Sequence, residues 1–217
     1  ALTASYVKNM TMIVIGTSEC TYYTKNFAYH RQKGKDSVYS LVLDDKEVVF
    51  GAVAQVERAV KEIIEIEHPD AVMLVTTCVP ELIGEDYSSI PYTLEEEVGI
   101  PIFVVNTEHF KCNSHIPGMS RALKSLSHAM EKVEVQEGVN IIGHRQDKVE
   151  ETELVQLLKK YDVQIQTVIP SSCTIAEIKK APTAKLNIVT DMIGLDLAKE
   201  MKRKFNIEYL YFDKHLN

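Results

Sequence analysis

The sequence predicts an α/β protein made of two doubly wound units, each a mainly parallel sheet flanked by helices. Short runs of Val, Ile and Leu recur along the chain without strict polar alternation, as expected for strands buried on both faces. Amphipathic stretches of helical period lie between them. The polar stretch Glu131 to Gly138 then interrupts this alternation, which begins again at Val139.

In chain order, the first strand is expected at Thr11 to Ile15 and the second at Val38 to Leu43. A helix follows over Phe50 to Glu67, where Val53, Val56, Val60, Ile63 and Ile64 form an apolar stripe opposite Glu57, Lys61, Glu62 and Glu65. His68-Pro69-Asp70 ends it, because proline cannot continue a helix and disfavours helical geometry just before it. Strands at Ala71 to Val75 and Ile102 to Val105 and a helix at Ser120 to Lys132 complete the first unit. The second has strands at Val139 to Ile142, Val163 to Ile169, Leu186 to Val189 and Tyr209 to Phe212. Its helices are expected at Glu150 to Lys160, Thr174 to Lys179 and Asp191 to Phe205. Right-handed crossovers then give two Rossmann-like domains, over residues 1–135 and 136–217. No low-complexity segment or solenoid repeat is visible.

Composition narrows the function. With 45% hydrophobic and 25% charged residues the chain is too apolar for intrinsic disorder. Its longest apolar runs, such as Ala71 to Val75, fall far short of the roughly 20 residues a membrane helix needs. No basic leader with an apolar stretch and cleavage site is seen, so a cytoplasmic location is expected. A formal net charge of −7 argues against nucleic acid as the main partner. The basic clusters Arg31 to Lys35 and Lys202 to Lys204 read as solvated faces.

Ligands of α/β sheets gather where strands end, so cysteines just after strands carry weight. Cys20 follows Ile13-Val14-Ile15-Gly16-Thr17-Ser18-Glu19 in a strand-to-helix loop, and Cys78 follows Val75-Thr76-Thr77 in another. Cys112 lies in a third loop, after Asn106-Thr107-Glu108-His109-Phe110-Lys111. If these loops share one rim, their thiolates suit an iron–sulfur cluster, which takes soft anionic ligands and usually four of them. Taken singly, a lone cysteine is more often a small buried hydrophobe. A catalytic thiol with His109 or His115 as base is conceivable, but no thiol-enzyme signature surrounds these residues. Cys173, after Pro170-Ser171-Ser172, reads as a structural thiol.

Three segments in order resemble the nitrogenase component 1 family: Gly16-Thr17-Ser18-Glu19-Cys20-Thr21-Tyr22-Tyr23, Val49-Phe50-Gly51-Ala52, and Thr76-Thr77-Cys78-Val79-Pro80-Glu81-Leu82-Ile83-Gly84-Glu85-Asp86. Asn113-Ser114-His115-Ile116-Pro117-Gly118 and Ala184-Lys185-Leu186-Asn187-Ile188-Val189 extend the resemblance over nearly the whole chain. The family includes nitrogenase catalytic subunits, scaffold proteins for their cofactor, and tetrapyrrole reductases. The resemblance implies Rossmann-like domains in paired subunits, with an iron–sulfur cluster, expected to be of the 4Fe-4S kind, at the subunit interface. Cys20 and Cys78 occupy two of its cluster-ligand positions. The implied partners are a homologous or identical component 1 subunit, a small-molecule substrate or metallocofactor, and a separate ATP-dependent iron–sulfur reductase. This sequence itself contains neither a P-loop motif nor a dinucleotide-binding glycine fingerprint.

Departures from the family pattern bear on function. The family's third cluster cysteine lies upstream of the stretch matching Ala1-Leu2, and its third domain would begin near the end of the chain, so a shortened form is expected. Asp191 stands where the subunit holding the iron–molybdenum cofactor has cysteine, so dinitrogen reduction is not expected. Cys112, where the family commonly has glycine, reads as a bystander or a substitute ligand. Glu81, Glu85 and Asp86 can ligate or move protons, although Gly84-Glu85-Asp86 at a strand end more readily sets a turn and caps a helix. The expected function is low-potential electron transfer to an unidentified substrate by a nitrogenase-like oxidoreductase subunit. The alternatives are a metallocofactor assembly scaffold and a cluster-free module that binds a small ligand or partner.

Overall fold

Among the described residues, eight strands fall where the sequence runs place them, in two four-stranded parallel sheets. The structure is a computed structural model and describes residues 3–29, 38–145, 148–171 and 173–212, leaving His30 and the Arg31 to Lys35 cluster outside the described residues. In the first sheet β1 (Met10–Gly16), β2 (Val38–Val42), β3 (Ala71–Thr76) and β4 (Ile102–Val105) take the order β2-β1-β3-β4. In the second, β5 (Val139–His144), β6 (Ile165–Pro170), β7 (Leu186–Val189) and β8 (Glu208–Tyr211) repeat it as β6-β5-β7-β8. Each sheet therefore has a point at which the chain reverses its direction of travel, between β1 and β3 and between β5 and β7.

The helices of the first unit are α1 (Ser18–Tyr29), α2 (Asp45–Phe50), α3 (Val53–Glu67), α4 (Cys78–Leu82) and α5 (Ile90–Val98). The stripe expected on α3 is the buried one: Val56, Val60 and Ile63 pack with Ile13, Ile15, Leu41, Val72, Leu74 and Ile102 in one core cluster. That helix begins at Val53 rather than Phe50. Phe50 instead ends α2, and Gly51 separates the two helices at φ 89°. His68, in left-handed geometry, closes α3 by donating its N–H to the Ile64 carbonyl.

The remaining helices are α6 (Ile116–Ser125), α7 (Glu153–Lys160), α8 (Ile175–Lys180) and α9 (Leu195–Phe205). α6 starts four residues earlier than the amphipathic pattern suggested, since Pro117 suits a helix's first turn, and a 3₁₀ turn at Leu126–His128 ends the helical run. The chain divides into one unit running to Gly118 and a second from Met119 that also takes in Tyr6–Lys8. This places most of α6 with the second sheet, earlier than the polar stretch 131–138 suggests. Ser120 donates to Asp196 of α9 at 2.7 Å, and the Lys8 N–H donates to the Cys173 carbonyl at 2.8 Å. Around Lys202–Lys204, Lys202 pairs with Glu208, and Arg203 and Lys204 both pair with Glu200. No helix among the described residues is long and apolar enough to cross a membrane.

Candidate functional site

The direction reversal of a doubly wound sheet leaves a crevice at the carboxyl ends of its two central strands. In the first unit those strands are β1 and β3, paired in parallel from Met10 with Ala71 to Ile15 with Thr76. The pairing runs on past the strand ends, where the Thr77 N–H donates to the Ile15 carbonyl at 2.9 Å. Gly16 packs directly against Thr77: a Cβ there would lie 1.8 Å from the Thr77 hydroxyl oxygen.

Cys78 is the next residue and the first of α4, while Cys20 is the third residue of α1. Cys20 thus lies in the first helical turn rather than in the loop expected from sequence, because α1 begins two residues after β1 ends. Both cysteines are half-buried. Burial, then the charges of Cys20 and Glu81, push the Cys78 thiol above its ordinary value. Nearby, Glu19 is held below the usual carboxylate range by hydrogen bonds from its own backbone N–H and then from Ser18 and Thr17.

α4 is also tied to its surroundings. Glu81 accepts a hydrogen bond from Thr76 at the end of β3, and Thr107 beyond β4 lies 3.5 Å from the same oxygen. Gly51 lies against Glu85, where a Cβ would come 2.7 Å from the carboxylate, so the Val49-Phe50-Gly51 segment borders the stretch after α4. Gly84 takes positive φ in the expected turn, but Asp86 bonds the N–H and hydroxyl of Ser88, and α5 starts beyond it with no side-chain cap. Hydrogen bonds from the Ser88 N–H and then its hydroxyl hold Asp86 below the ordinary carboxylate range.

The remaining cysteines differ. Cys112 follows a 3₁₀ turn at His109–Lys111 and directs its thiol at the Glu108 carbonyl, 3.5 Å away. Cys173 is 2% exposed, faces the Pro170 carbonyl at 3.4 Å, and burial followed by the Glu177 charge pushes its thiol up to about 12. No disulfide joins these residues, and no group of three or more His, Cys, Asp or Glu able to hold a metal is found among the described residues. Among the described residues of the first unit, Cys20 and Cys78 are the cysteines that follow the central strands β1 and β3.

At the matching place in the second unit, between β5 and β7, Arg145 and Asp191 form an ion pair at 3.2 Å. The other oxygen of Asp191 accepts from the Ile193 N–H at 3.1 Å, and Gly143, at φ 101°, makes room for it. Asp191 is thus held by its own chain.

A family model described as nitrogenase component 1 type oxidoreductase matches residues 1–215. The chain belongs to this family. Among its relatives is a nitrogenase iron-molybdenum cofactor biosynthesis protein NifE of Clostridium pasteurianum, 29% identical over 91% of this chain and 45% of that protein. The nitrogenase molybdenum-iron protein alpha chain of the same organism is 24% identical over 94% of this chain and 41% of its own length. A light-independent protochlorophyllide reductase polypeptide of Porphyra purpurea is 25% identical over 83% of this chain and 38% of its own length. The chain thus spans less than half the length of these relatives. A solved structure titled "Nitrogenase Cp1 at pH 5" superposes with a TM-score of 0.78 at 22% identity, covering 97% of this chain and 45% of that one, which shows a shared fold.

Proposed function

We propose that this family member is a subunit of a nitrogenase-like oxidoreductase in which Cys20 and Cys78 ligate an iron–sulfur cluster of the 4Fe-4S kind. The observation that carries this reading is that Cys20 and Cys78, both half-buried, follow the ends of β1 and β3, the two central strands of the first sheet. Thiolates are the soft donors iron–sulfur clusters use, and two of them make half of the usual set of four. The rest come from a homologous or identical subunit, which would cover Tyr22, Tyr23 and Leu82, exposed by 62%, 70% and 63% on the helices that carry the two cysteines. Once bound, the cluster supplies one-electron chemistry at low potential. The protein's part is to hold the thiolates at a fixed separation and partly shield them from water. Electrons arrive from a separate ATP-dependent iron–sulfur reductase and pass to a small-molecule substrate, in the cytoplasm.

A second reading, a scaffold on which a metallocofactor is assembled, is favoured by the relatives named as cofactor biosynthesis proteins, the Clostridium and Methanococcus maripaludis ones at 29% and 28% identity. Anaerobic purification with visible absorption and iron analysis tests both. A brown protein containing iron is expected, and a colourless, iron-free one would instead leave a cluster-free binding module. Oxidation of the cluster by a substrate, sustained by reductase and ATP, distinguishes the enzyme. Transfer of the metallocofactor to an acceptor protein without turnover distinguishes the scaffold.

A further inference from the structure

Glu81 lies three residues after Cys78 in a helix of only five residues, Cys78–Leu82. So short a helix does not hold itself in water and takes its position from tertiary contacts. The main polar contact is the Thr76 hydroxyl, which donates to Glu81 Oε1 from the last residue of β3. Thr76 is fully buried, and its hydroxyl has one proton for three acceptors, Glu81, the Val105 carbonyl at 3.2 Å and Asn106 at 3.4 Å. The carboxylate is the nearest of the three. Thr107 supports the same arrangement by donating to the Thr76 carbonyl at 3.1 Å.

The second oxygen of Glu81, Oε2, is buried and has no hydrogen-bond partner among the described residues. Residues three apart in a helix are neighbours, so Glu81 stands beside Cys78 on α4.

We infer that Glu81 is the positioning residue of Cys78: clamped by Thr76, it fixes the first turn of α4 on the end of β3, and its charge lowers the reduction potential of the cluster that Cys78 ligates. The second half rests on the cluster reading above, whereas the clamp does not. A fixed negative charge opposes arrival of an electron at the cluster, so its removal favours the reduced state.

Two substitutions separate the roles. Glu81→Gln keeps an oxygen for the Thr76 hydroxyl and loses the charge, while Glu81→Ala loses both. In the anaerobically loaded protein, Glu81→Gln is expected to retain iron and to move the midpoint potential in the positive direction. Glu81→Ala is expected to lower iron affinity by about 10–100-fold, as removal of groups that orient ligands does. In cluster-free protein, hydrogen exchange of the Cys78–Leu82 amides is expected to speed up in Glu81→Ala and to stay near the wild-type rate in Glu81→Gln. An unmoved potential in Glu81→Gln overturns the electrostatic role, and unchanged exchange in Glu81→Ala overturns the clamp. Wild-type protein that takes up no iron removes the cluster reading and the electrostatic role with it, and the exchange measurement still decides the clamp.

Discussion

Gly16 and Thr77 meet where β1 and β3 end, so closely that any side chain on Gly16 would overlap the Thr77 hydroxyl and crowd its Cβ, which lies 2.9 Å from the position such a side chain would occupy. This contact sets the spacing between the segments that lead to Cys20 and Cys78. Gly16→Ala is expected to destabilise the protein by about 1–3 kcal/mol, the usual cost of overpacking. A urea denaturation curve measures it, and a midpoint equal to wild type would show that the two segments can separate freely.

Cys173 offers a test at high pH. Its thiol has an ordinary value of 9.0 and is pushed up to about 12 in the folded protein, chiefly by burial. Between these values the folded state keeps a proton that the unfolded chain releases, so stability contributed by this group falls as pH rises through that window. Cys173→Ala is expected to lose stability at neutral pH through the cavity it leaves, and to show a shallower further decline from pH 9 upward. Parallel pH profiles for the two proteins would contradict the assignment.

Three buried polar side chains share one level of the second sheet, with Asn140 in register with Thr167 on one side and Asn187 on the other. The Asn140 amide donates to the Asn187 side chain at 2.8 Å and to the Ala181 carbonyl at 2.9 Å, whereas the Thr167 hydroxyl has no partner among the described residues. Asn140→Ala is therefore expected to cost about 1–3 kcal/mol by stranding its acceptors. Thr167→Val, which removes an unpaired hydroxyl at nearly constant volume, is expected to be neutral or stabilising in the same thermal melts. Equal losses from both would contradict this hydrogen-bond assignment.

The central strands β1 and β3 were legible because burial on both faces of a parallel sheet leaves no room for polar alternation, whereas the edge strand β8 is mostly exposed and carries a weaker signal. The helices were legible where one face is apolar, as in α3, and less so where local chemistry sets them. α1 carries Thr, Tyr, Lys and Asn with no apolar stripe, so Cys20 was expected in a loop and lies within a helix. α2 has no buried residue, and its signal was the capping box of Asp44 with Glu47. Glu81 was visible as a carboxylate near Cys78, but its tie to Thr76 depends on how α4 folds back on β3, which spacing alone does not reveal. The pairing of Arg145 with Asp191 joins residues 46 positions apart and follows only from the strand order of the second sheet.

The central claim is that Cys20 and Cys78 grip iron together, and iron content with the low-temperature EPR spectrum of anaerobically reconstituted Cys20→Ala, Cys78→Ala and Cys173→Ala proteins tests it most directly. Loss of iron and of the reduced-cluster signal is expected in the first two, with Cys173→Ala loading as wild type does. Full iron content and an unchanged signal in both Cys20→Ala and Cys78→Ala would contradict it.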